Sequence, residues 1–130
     1  MSLDRVQQEV ADFNTVRGWD KDTKYLKDFL LNMCEEVGEA WSLIKWIDHE
    51  EQKKIFVEHK DQFKDFVGDQ LFLILKVAWL LDINSGEALE ETLAEYEQRF
   101  PIKETLEKKH GNPLAGGIDN KQQTINNKQQ

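Results

Sequence analysis

The sequence predicts an all-α fold, a bundle of four to five helices, on three observations. Apolar residues recur at about the 3.6-residue period of an α-helix in four separate segments. A capping residue stands ahead of three of them: Ser2, then Asp22 or Thr23, then Asn84 or Ser85. Two of the segments also share one pattern, an acidic cluster around a glycine followed by a long apolar run, thirty residues apart.

Ser2 can cap a first helix on which Val6, Val10 and Phe13 recur at i, i+4 and i+7, ending near Arg17-Gly18. The connector 18–23 sets Trp19 among charges, either as an aromatic plug over the bundle end or as one wall of a ligand site. Asp22 or Thr23 opens a second helix expected to run to Ile47, with Leu26, Leu30, Met33, Val37, Ala40, Trp41 and Ile44 toward the core. Residues 48–60 are charged and poorly periodic, which reads as a loop with a helical lead-in. A third helix over 61–81 turns Phe63, Val67, Ile74, Ala78 and Leu81 inward. Leu71, Phe72, Leu73, Leu75, Trp79 and Leu80 make it apolar nearly all round, the mark of a helix that is central or shared with a second subunit. Asn84 or Ser85 caps a fourth helix through Arg99 on Ala88, Leu89, Leu93 and Tyr96, stopped by Pro101. Residues 1–109 thus form one helical domain. Residues 110–130, rich in Gly, Asn, Gln and Lys, are expected to be a flexible tail that carries no chemistry.

The net charge of −8 over 130 residues argues against a partner with a phosphate backbone or an anionic lipid surface, so neither nucleic acid nor membrane is expected. A phosphate ligand would need metal ions. Cys34 is the single cysteine, which excludes an internal disulfide and suggests a buried thiol in a reducing compartment. The start of the chain lacks the pattern of a signal peptide, and the apolar run 71–81 is too short to cross a bilayer and contains Lys76. A soluble, cytoplasmic protein is expected.

The chemistry concentrates on the second and third helices. Glu35, Glu36 and Glu39 crowd one surface at spacings i, i+3 and i, i+4, and repel one another unless something positive lies between them. Leu43 and Trp46 follow one and two turns later on the same side, where a purely solvated face seldom carries a leucine and a tryptophan. Asp65 and Asp69 repeat the acidic pair on the third helix. Gly38 and Gly68, at matched places, suggest a close approach between helices. If the two helices pack antiparallel with their acidic faces converging, four or five carboxylates meet with no basic residue from either motif. Such a cluster binds hard cations or stays partly protonated. Oxygen-only ligands favour Mg²⁺ or Mn²⁺ over zinc. His49 and His59 stand isolated, and Glu107-x-x-His110 is a single copy of a spacing that di-iron bundles need twice.

The order Arg17-Gly18-Trp19, EEVGE at 35–39, Ile44-Lys45-Trp46, GDQLF at 68–72 and Arg99-Phe100-Pro101 resembles the MazG-like all-α nucleoside triphosphate pyrophosphohydrolases over residues 3–102. The resemblance implies a MazG-like, oligomeric bundle, a homodimer or homotetramer. It also implies a Mg²⁺-dependent enzyme that splits a nucleoside triphosphate substrate into monophosphate and pyrophosphate by metal-activated water. Carried over residue by residue, Glu35 and Glu36 are the catalytic candidates, Glu36, Glu39 and Asp69 the metal ligands. Trp46, Leu43, Trp19 and Lys45 are the candidates for contact with the substrate. The chain departs from the family pattern at Phe66, where an E-x-x-D glutamate is expected, and at Leu93 and Glu95, where many members carry Asn and Lys. Asp65, one turn from Asp69, is the candidate for the missing oxygen ligand, and Lys24, Lys27 or Lys45 for the missing cation. The alternative reading is a catalytically impaired relative that binds nucleotide or metal, or serves only as an oligomerisation module.

Overall fold

The computed structural model describes residues 2–108. Among these residues the chain is all-helical: α1 (Leu3–Thr15), a 3-10 turn (Thr23–Tyr25), α2 (Leu26–Ser42), α3 (His49–Glu58), α4 (Lys60–Leu80), α5 (Ser85–Arg99) and α6 (Ile102–Lys108). The expected tail over 110–130 and His110 lie outside the described residues. The chain divides into two compact units, Met1–Ser85 and Gly86–Gln130.

In the first unit the expected caps form. The Ser2 side chain accepts the Arg5 N–H at 3.4 Å and starts α1. That helix ends with Gly18 in the left-handed region, at φ 67°. The Trp19 N–H returns to the Asn14 carbonyl and the Gly18 N–H to Thr15, the paired bonds of a Schellman ending. Asp22 accepts the Lys24 N–H and opens the 3-10 turn that leads into α2. α2 stops at Ser42, short of Ile47. The Ser42 hydroxyl donates to the Glu39 carbonyl at 2.6 Å, and the next amides bond three residues back, Leu43 to Ala40 and Ile44 to Trp41. The backbone tightens into turns there and the α-helix is lost.

Residues 48–60 are not a loop. Asp48 accepts the N–H groups of Glu50 and Glu51 at 3.0 and 2.8 Å and caps α3, whose first turn carries those two acidic residues. The signal was in the sequence as a capping aspartate followed by first-turn carboxylates, and weak apolar periodicity masked it.

α2 and α4 pack antiparallel, and α1 crosses onto α4 through the edge contact of Phe13 with Phe72, at 5.6 Å between centroids. Gln70 ties the first pair by donating to the Met33 carbonyl at 2.8 Å. The C-terminal half of α4 is the centre of the unit, with Leu73, Leu75, Val77, Ala78 and Leu80 buried, as its all-round apolar character suggested. The inward faces otherwise match expectation only in part. Leu30, Val37 and Trp41 on α2, and Val67, Ile74 and Leu71 on α4, are about half exposed. Of the residues expected inward on α2, Leu26, Met33, Ala40 and Ile44 are partly covered, and Phe29, Glu36 and Leu43 join them. Each helix carries apolar residues on two flanks, and composition alone does not say which flank its neighbour covers. α1 is likewise rotated: Val10, Ala11 and Asn14 are buried while Phe13 stays 40 % exposed.

Gly38 and Gly68 do not mark a close approach, since a Cβ added at either meets nothing within 4 Å. Cys34 is exposed, against the buried thiol expected. In the second unit, Tyr96 and Phe100 meet edge to face at 6.0 Å, with the Arg99 guanidinium near both rings. No helix among the described residues is long and apolar enough to cross a membrane.

Candidate functional site

The chemistry-bearing residues gather along the seam where α2 passes α4. Because the helices run antiparallel, Leu43 faces Gln62 and Phe66 at one end, Glu36 faces Asp65 and Asp69 in the middle, and Phe29 and Asn32 face Lys76 at the other end. Three cavities follow one another there and share walls. A first, of about 210 Å³, is lined by Glu36, Glu39, Leu43, Asp65 and Phe66. A second, of about 260 Å³, holds Glu36 and Asp69 together with Trp19, Phe29, Asn32 and Lys76. A third, of about 360 Å³, has aromatic walls of Trp19, Tyr25 and Phe29 and again includes Lys76, with Asp20 at its edge.

Glu36 is common to the two acidic cavities, and its carboxyl is pushed above the ordinary value of 4.5. The largest cause is desolvation by the packed helices. The charges of Asp69, Glu39, Asp65 and Glu35 then add repulsion in that order, so all four surround it. Four of the expected ligands and neighbours thus meet: Glu36, Glu39, Asp65 and Asp69. As placed, they converge without closing on a common point, and among the described residues no three His, Cys, Asp or Glu side chains stand close enough to hold a metal ion.

The remaining candidates divide. Leu43 lines the first cavity and Trp19 walls the second and third, held there by the Gly18 turn and by edge contact with Phe13 at 5.9 Å. Glu35 lies exposed on the flank of α2. Trp46 is 85 % exposed and leans on Trp41, with the Lys45 ammonium 5.9 Å from both rings; neither Trp46 nor Lys45 lines any of the three cavities. The early end of α2 at Ser42 turns them away. Lys24 is engaged by Asp22 at 3.5 Å.

No family model matches the chain, and neither a curated protein nor a solved structure is detectably similar to it. The site is therefore read from its own geometry. Lys76 is the residue that sequence reasoning passed over. Its Nζ lies 4.4 Å from the Phe29 ring centroid, 4.7 Å from that of Trp19 and 5.8 Å from that of Phe72. Desolvation lowers its pKa from the ordinary lysine value. The signal was available: Lys76 is the lone charge in the apolar run 71–81, where a lysine needs a reason to be.

Proposed function

We propose that the chain is a Mg²⁺- or Mn²⁺-dependent nucleoside triphosphate pyrophosphohydrolase that yields a nucleoside monophosphate and pyrophosphate. In this reading it is a divergent MazG-like protein that works as a homodimer or homotetramer. The observation that carries the reading is Glu36, a partly desolvated carboxyl faced by Asp65 and Asp69 across the antiparallel seam and flanked by Glu39. Carboxylates gathered without a basic partner repel one another, and a hard divalent cation relieves that repulsion through all-oxygen ligation. Glu36, Glu39, Asp69 and Asp65 are the residues that would hold it. When bound, a divalent cation screens the phosphates and acidifies a water at neutral pH.

The side chains supply the rest. Glu36 holds its proton more tightly than an ordinary carboxyl, which suits it to accept one from the attacking water, with Glu35 beside it in sequence. Trp19 with Tyr25 and Phe29 offers flat apolar surface to a base, and Leu43 supplies apolar lining at the opposite end of the seam.

One observation favours a second reading. Phe66, half-buried, lines the first acidic cavity where a further carboxylate would complete the family pattern. A protein with too few ligands for turnover would still bind nucleotide or metal, or serve as an oligomerisation module. A panel of canonical and modified NTPs and dNTPs with Mg²⁺ or Mn²⁺, following pyrophosphate release, separates the two. Release above the rate without protein supports the enzyme; binding without release supports the impaired relative.

A further inference from the structure

Lys76 sits where the aromatic cavity meets the acidic one, and it lines both. Among the described residues no ion pair joins it to a carboxylate, although Glu36 and Asp69 line the second cavity with it. Its compensation comes from the faces of Phe29, Trp19 and Phe72. Cation–π contacts offset only part of the cost of drawing an ammonium away from water. An ammonium so placed is half of an ion pair whose anion is to be supplied.

We infer that Lys76 is the anion anchor of the seam, meeting the phosphate nearest the sugar of a nucleotide whose base lies in the Trp19–Tyr25–Phe29 cavity and whose outer phosphates lie beside Glu36 and Asp69. This assignment rests on the nucleotide reading above. It follows from order along the groove. The base needs flat apolar walls, which one cavity has, and the outer phosphates need the cation that carboxylates hold, which the other favours. The phosphate between them lies at the shared wall, about two α-helical turns beyond Asp69 on α4, where a positive partner is needed. The other cations considered do not lie there: Lys24 is engaged by Asp22, and Lys45 lies against Trp41 and Trp46. The aromatic faces also restrain the Lys76 side chain, which reduces the entropy lost on contact.

The test compares nucleotides with nucleosides. Nucleoside α,β-imidotriphosphates of the four bases, and the corresponding nucleosides, are titrated by calorimetry in Mg²⁺ into the parent and into Lys76→Met and Lys76→Arg. The inference expects Lys76→Met to weaken the imidotriphosphate by roughly 10- to 100-fold, the range for a charge-assisted contact. Nucleoside affinity should stay unchanged, and Lys76→Arg should keep most of the nucleotide affinity. Equal loss for nucleoside and nucleotide would make Lys76 a prop for the rings and overturn the inference, as would no loss at all. Should Lys76→Met not fold, the lysine ¹³Cε resonance of the parent decides: it must move with the imidotriphosphate and stay with the nucleoside, and a resonance indifferent to both defeats the assignment. Pyrophosphate release by the parent, with kcat and KM unchanged in Lys76→Met, removes the Lys76 role and leaves the enzyme standing. A parent that neither binds nor hydrolyses any of the nucleotides removes both.

Discussion

Glu36 is the residue on which the electrostatics of the seam converge. Its proton affinity is higher folded than unfolded, so its ionisation opposes folding. The sign follows: as pH rises from the ordinary carboxyl value of 4.5 through the raised folded value, stability is lost, and it returns on acidification through the same window. Glu36→Gln is therefore expected to melt above the parent at neutral pH in EDTA, the gap closing as the pH falls toward 4.5. A mutant that melts lower at neutral pH would show Glu36 in a favourable pairing instead. Divalent cations test the same cluster by mass action. Saturating Mg²⁺ or Mn²⁺ should raise the melting temperature of the parent, and Glu39→Gln or Asp69→Asn should shrink that rise without destabilising the apo protein. A structural salt bridge behaves oppositely, because removing one partner strands the other charge. Asp65→Asn belongs in the same series. If Asp65 supplies the oxygen that Phe66 cannot, its loss should weaken the metal response about as much as Asp69→Asn does.

At the scale of the element, caps and glycines decide where helices begin and how firmly they hold. Asp48 satisfies two N–H groups at the start of α3, so Asp48→Ala should cost about 1 kcal/mol, the usual value of an N-cap. Denaturant unfolding measures it, and no loss would mean that α3 frays freely. Gly38 and Gly68 occupy open helix positions, so alanine at either should stabilise the folded chain by about 0.5–1 kcal/mol. Gly18 is the contrasting case. Its positive φ would strain alanine by about 1–2 kcal/mol, and because the turn carries Trp19, Gly18→Ala should also change the tryptophan environment near the third cavity. An unaltered fluorescence spectrum alongside lost stability would separate the turn from the placement of Trp19.

For the molecule as a whole, the outward flanks of α2 and α4 carry the consequence. Leu30, Val37 and Trp41 on one helix and Val67, Leu71 and Ile74 on the other leave apolar surface in water within the first unit, the kind of surface that a second copy can cover. Self-association through these flanks is expected, with a dimer or tetramer by sedimentation equilibrium at micromolar concentration. Trp41→Glu or Leu71→Glu should shift the population to monomer while leaving helical content intact. A parent that sediments as a clean 15.3 kDa monomer sinks the proposal. The outcome also bears on the glycines: should Gly38→Ala or Gly68→Ala weaken association, the open space beside them is used by a second copy.

Helix type, the caps at Ser2 and Asp22, the Gly18 turn and the all-round apolar character of 71–81 were legible from residues alone, because they depend on local dihedral preference and on apolar spacing, both written along the chain. So was the acidic echo between 35–39 and 65–69, which led to the seam where Glu36 meets Asp65 and Asp69. Other features required neighbours. The face of α2 that turns inward was decided by packing, because Leu30, Val37 and Trp41 offered as much apolar surface as the face that won. Trp46 and Lys45 left the seam because Ser42 took the Glu39 carbonyl and tightened the chain one turn early. Lys76 became a site residue only because Phe29 of α2 and Trp19 after the Gly18 turn are brought against it, beside Phe72 of its own helix. Sequence spacing reports what lies on one helix; which charges are desolvated, and against what, depends on elements distant in the chain, and that distance the tertiary structure alone removes.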